Sequence, residues 1–104
     1  MTKVKQLTEL IDELELLMQQ LGQWQATPPS KQALSSQQPF AIDTLTPSEW
    51  LQWIFIARIR LLIEQNQPLP SGFSIAPYFE ECWKEQPQLT PLVTIIQKLD
   101  EEFR

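Results

Sequence analysis

Few residues in this chain have a chemical repertoire. The carboxylates of Asp43, Glu80 and Glu81, the Tyr78 phenol, the Cys82 thiol and the Arg58 guanidinium are the candidates. Asp43 or Glu80 acting with Arg58 and Tyr78 would make an acid/base device, provided the groups converge in a cleft. Glu80 with Glu81, or Glu101 with Glu102, would not serve as paired carboxylates. Adjacent residues on a helix point about 100° apart and cannot address one atom. Both pairs read as solvated faces. Histidine is absent and Cys82 is the single cysteine. That excludes Ser-His-Asp and Cys-His catalysis, a Cys/His zinc site and an internal disulfide. Cys82 reads as a small packed thiol. No glycine-rich phosphate loop and no metal-ligand spacing occurs, so no cofactor is expected.

Charge narrows the partners. Eight basic residues stand against thirteen acidic ones, for a net charge of −5. The basic residues are dispersed, which argues against direct nucleic-acid binding. The aromatic residues are the other resource. Trp50, Trp53 and Phe55 fall in one segment, and Tyr78, Phe79 and Trp83 in another. Most are expected in the core. Tryptophan and tyrosine also anchor interfaces, so any that remain exposed would mark a contact surface.

The elements that must position these residues read as helices. With 104 residues and 42% apolar content, the chain fits one globular domain over 1–104. Apolar residues at 4, 7, 11, 14, 18 and 21 give a helical stripe from Thr2 to Leu21, closed by Gly22. Gln25 to Leu45 is a connector rich in proline, serine and glutamine. Its Thr27–Gln38 part is expected to be a flexible loop, with Pro39, Phe40 and Ile42 docked on the core. Thr46-Pro47-Ser48-Glu49 is a capping box with proline at the first helical position, and it opens a helix running to about Asn66. That helix is apolar almost all round and is expected at the centre, covered by the others. Pro77 suits the first turn of a third helix over about Ile75–Gln86, and Thr90-Pro91 repeats the Thr-Pro start for a last one. No strand alternation is present. The expected fold is an all-α single-domain bundle of about four helices around a central apolar helix. The longest apolar run, Trp53 to Ala57, is far short of the roughly 20 residues a membrane helix needs. With no signal-peptide pattern at the start, a cytoplasmic protein with no membrane contact is expected.

One charge conflicts with this plan. On a wheel at about 100° per residue, Ser48, Glu49, Gln52, Arg60 and Glu64 share one sector of the apolar helix. Arg58 falls on the far side, between Leu51, Ile54 and Leu62. A buried guanidinium requires a counter-charge, so Arg58 is expected to pair with Asp43, Glu80 or Glu81, or to line a pocket that meets an anion.

These residues also carry a resemblance. Gln38-Pro39-Phe40, Asp43-Thr44, Glu49-Trp50-Leu51-Gln52-Trp53, Arg58, Gln67-Pro68-Leu69-Pro70 and Ala76-Pro77-Tyr78 with Glu80 are similar to the YqcC-like family of small bacterial proteins. The resemblance spans the chain and is strongest from Gln37 to Glu81. It implies a compact helical bundle without an established activity, often encoded beside a tRNA pseudouridine synthase whose name some members carry. The chain is too short for that synthase and shows no catalytic-aspartate motif in a strand setting. An accessory role beside such an enzyme is what the resemblance implies.

The chain is therefore expected to be a non-catalytic interaction module with a protein partner, a tRNA pseudouridine synthase being the named candidate. Phe40, Asp43, Trp50, Trp53, Arg58, Tyr78 and Glu80 are the expected binding residues. Two alternatives stand beside it. One is a small-molecule domain with an aromatic and arginine pocket. The other is a structural homodimer.

Overall fold

A computed structural model describes residues 2–103. Among them the chain is helical with no strand. Helix α1 spans Thr2–Gln20. Gly22, at φ 73°, stops it: the Gln23 N–H returns 2.8 Å to the Met18 carbonyl. A left-handed residue just past a helix favours glycine for want of a Cβ. The connector carries a short helix α2 at Lys31–Leu34, where the Ser30 hydroxyl caps the Ala33 N–H. A 3-10 turn follows at Pro39–Ala41.

The apolar helix opens as α3 at Pro47–Glu49 with both halves of the capping box made. Thr46 Oγ1 accepts from Glu49 N at 3.2 Å, and Glu49 Oε1 accepts from Thr46 N at 2.8 Å. The rod continues as a π-helical segment at Trp50–Ile56, then as α4 at Ala57–Glu64. Asn66, at φ 54°, closes it, with Gln67 N–H bonded to the Leu62 carbonyl at 2.9 Å. Helix α5 spans Ala76–Cys82. A 3-10 turn at Pro87–Leu89 runs straight into α6, Thr90–Glu102.

The core forms where α1 and α6 lie side by side and α5 packs on α6. Leu7, Ile11, Leu14 and Met18 of α1 meet Leu92, Ile95, Ile96 and Leu99 of α6. Phe79 from α5 and Leu51, Ile56 and Ile59 from the apolar helix complete it. Each fully buried side chain of this size contributes about 1.5–3 kcal/mol. No helix of the described residues is long and apolar enough to cross a membrane.

Within the 27–38 connector a four-residue helix, α2, forms at Lys31–Leu34. Three local expectations change. Phe40 docks, but Pro39 and Ile42 do not, and Ile42 is 64% exposed. Thr90 is already helical rather than a cap, because the preceding 3-10 turn feeds α6 directly. The apolar helix is enclosed on its Leu51, Phe55, Ile56 and Ile59 face only. Ala57, Arg58 and Leu61 face solvent, Leu61 at 50% exposure.

The π segment accounts for that last difference. Closing hydrogen bonds over five residues rather than four places about one extra residue in the rod. Everything after it then lags the ideal wheel by about one position. Ile59 occupies the buried place the wheel gives to Arg58, and Arg58 turns outward.

Candidate functional site

The strongest local geometry is aromatic. The Phe40 ring stacks on Tyr78 at 4.0 Å and 10°, and lies 4.8 Å from Trp50. Trp50 stacks on Phe55 at 5.8 Å, an i,i+5 pair brought onto one side by the π segment. Phe79 meets both Trp50 and Tyr78 at 6.1 and 5.2 Å. Phe40, Trp50 and Tyr78 are half-buried, with the exposed Ile42 two residues beyond Phe40. Offset and tilted pairs of this kind contribute about 0.5–1.5 kcal/mol each beyond burial.

The backbone that presents Phe40 is strained. Phe40 and Ala41 both have positive φ, 56° and 47°. Non-glycine residues in this region cost on the order of 1–3 kcal/mol each and persist where the surroundings enforce them. Here the ring stack holds Phe40, while Ile42 N–H bonds to the Pro39 carbonyl at 3.2 Å. Asp43, on the same turn, accepts from the Ser36 hydroxyl and so ties the turn to the end of the α2 segment.

Burial pushes the Tyr78 phenol up to about 12, and the adjacent Cys82 thiol adds to the shift. The phenol stays neutral in ordinary conditions and acts as a hydrogen-bonding, ring-stacking group rather than a base. Glu49 is held below its usual range, first by the Thr46 backbone N–H and then by the Gln25 side chain.

The remaining expected residues separate. Trp53 sits apart from Trp50, its indole N–H donating to Gln25 Oε1 at 2.9 Å. It borders a groove of about 400 Å³ with Trp24, Gln52, Ala57 and Arg60. Glu80 accepts from Gln97 at 2.8 Å and lines a different groove, about 600 Å³, with Pro77 and Asp100. Arg58 is exposed and makes no ion pair among the described residues. The expectation of a buried Arg58 paired to Asp43, Glu80 or Glu81 is therefore corrected. The extra residue of the π segment turns it to water, and those carboxylates find Ser36, Gln97 and Lys84 instead. Arg60 takes the bridging role: its Nη1 reaches Asp12 at 3.0 Å and its Nη2 reaches Glu15. Asp43, Glu80, Arg58 and Tyr78 do not converge, and the described residues hold no group of three or more potential metal ligands.

Two polar devices lie outside the sequence expectations. Gln52, 4% exposed, accepts from Gln25 N and donates to Gln25 O, both at 2.8 Å. The Gln25 side chain in turn donates to Glu49 at 3.0 Å and accepts from Trp53. One glutamine thus fastens the chain after α1 to three positions of the apolar helix. Asp100 accepts from Ile75 N and Ala76 N at 3.0 and 2.7 Å, capping α5 from α6. The hint for the first lies in Gln52 interrupting an apolar run; nothing in the sequence marks Gln25 as its partner.

The comparisons agree with this architecture. The model of the DUF446 family, described as tRNA pseudouridine synthase C, matches residues 6–102. An uncharacterised Haemophilus influenzae protein is 44% identical over 91 residues, covering 88% of this chain and 86% of that protein. The uncharacterised Escherichia coli protein YqcC is 37% identical over 94 residues, covering 89% and 86%. A Pectobacterium carotovorum protein named tRNA pseudouridine synthase C is 31% identical over 84 residues, which are 81% of this chain and 22% of that longer protein. The solution NMR structure of E. coli YqcC superposes with a TM-score of 0.85 at 36% identity, covering 99% of this chain and 89% of that one. The all-helical fold is therefore shared with YqcC, and the chain is a member of the YqcC-like (DUF446) family.

Proposed function

We propose that the chain is a non-catalytic accessory module whose partner is a tRNA pseudouridine synthase, contacted through the Phe40, Ile42 and Tyr78 face. The observation that carries this reading is the strained turn. Two consecutive non-glycine residues at positive φ hold Phe40 in the ring stack and leave Ile42 64% exposed. Strain retained at an exposed apolar tip suits a pre-shaped contact surface better than a folding role. Trp50 backs the stack, and Asp43 anchors the turn through Ser36.

The choice of partner is supported by the Pectobacterium relative, in which a segment similar to this chain is 22% of a protein carrying the synthase name. The net charge of −5 suits a partner whose surface is basic, as an RNA-binding enzyme's would be. A non-catalytic role is supported by the dispersal of Asp43, Glu80 and Arg58. The test is co-expression of the untagged chain with tagged synthase from the same organism. Stoichiometric recovery on the tag, surviving nuclease treatment, is the expected result. Recovery of the synthase alone refutes the pairing.

A further inference from the structure

A second surface lies away from the aromatic turn. Three grooves meet at Arg60, along the seam between α1 and α4. The widest, about 400 Å³, has the half-buried Trp24 and Trp53 on its sides and the exposed Ala57 between. The second continues past Leu16, an α1 side chain 54% exposed. The third reaches Ile63 and Glu64 at the end of α4. From Gln52 to Glu64 this seam runs roughly 15–20 Å, the length of three to four helical turns. Its bridging cation, Arg60, is already engaged by Asp12 and Glu15. With Glu64, three carboxylates line the seam against one guanidinium.

We propose that this seam is a docking groove for a basic amphipathic helix of a partner protein. Apolar anchors of such a helix fit between Trp24, Trp53 and Ala57, the mode by which an amphipathic helix lies in an apolar groove. Its lysines or arginines meet Asp12, Glu15 and Glu64 at the rim. A second copy of this chain would set the same carboxylates against one another, so charge disfavours self-pairing here. The inference is independent of the synthase pairing and of the Phe40 turn.

The experiment uses the full chain and two synthetic helical peptides of about 14 residues, four turns. Both carry leucines at helical spacing; one has lysine and its twin glutamate on the polar face. Binding is followed by amide and indole chemical shifts. The lysine peptide is expected to shift the Trp24 and Trp53 indole signals and the Ala57 amide, and the glutamate peptide to shift none of them. Ala57→Trp fills the groove from a solvent-exposed position and is expected to weaken lysine-peptide binding by about tenfold or more, with the remaining spectrum unchanged. Shifts mapping to another face, equal binding of both peptides, or full binding to Ala57→Trp each overturn the proposal. Signals at the seam that move with protein concentration alone, without peptide, assign the groove to a second copy instead and also overturn it.

Discussion

Arg58 and Arg60 stand two positions apart, and their fates are decided by backbone geometry rather than by residue type. Arg58 is exposed and free of ion pairs among the described residues, so Arg58→Ala is expected to change unfolding free energy by no more than about 0.5 kcal/mol. Arg60→Ala removes two ion pairs, on a side chain 40% exposed, and is expected to cost about 0.5–1 kcal/mol, shrinking as salt is added. Urea titrations of both variants at two ionic strengths check this ordering; a larger loss for Arg58→Ala contradicts it. Tyr78 gives a second test, because it is the single tyrosine and its ionisation is read directly by phenolate absorbance. The midpoint is expected near 12 rather than the ordinary 10.0. A folded-state pKa above the unfolded one means the unfolded chain loses its proton first. Stability is therefore intact below about 10 and falls as pH rises from there towards 12. Because burial is the larger cause, Cys82→Ala should lower the midpoint only part of the way. Residue types alone revealed the aromatic stock and the missing chemistry. They did not reveal the Gln25–Gln52 pairing: Gln52 interrupts an apolar run, but a partner 27 residues away leaves no pattern in sequence.

Among the elements, those with local signals were legible and those set by tertiary partners were not. The Thr46 capping box is written in four consecutive residues and forms as read. The α1 and α6 stripes place Leu7, Ile11 and Leu14, and Leu92, Ile95 and Leu99, in the core as their spacing requires. The π segment has no such signature. It coincides with two contacts, Trp50 stacking on Phe55 and Gln52 reaching Gln25, neither of which is written in the segment's pattern. Helix α5 likewise lacks a local cap and takes Asp100 from α6. Asp100→Ala is expected to cost about 1–2 kcal/mol, in the range of a lost helix cap. Amide exchange should locate that loss at Ile75 and Ala76, with Asp100→Asn recovering part of it. Uniform exchange across the molecule would show that the carboxylate acts elsewhere.

At the scale of the whole molecule, the all-helical bundle followed from pattern and composition, whereas its surfaces did not. Which half-buried ring is displayed depends on the Phe40–Ala41 backbone, and no propensity argument places two non-glycine residues there. The expected binding residues divide accordingly: Phe40, Trp50, Tyr78 and Asp43 build one face, Trp53 borders another, and Glu80 and Arg58 stand apart. The proposed synthase contact rests on the first face. Ile42 is the side chain to change, because at 64% exposure its replacement leaves the core intact. Light scattering on the purified chain mixed with the synthase, for wild type and Ile42→Asp, measures this directly. A complex of summed mass with the wild-type chain, lost or weakened by about tenfold or more with Ile42→Asp, is the predicted result. No complex with either chain, or equal complexes with both, would contradict it.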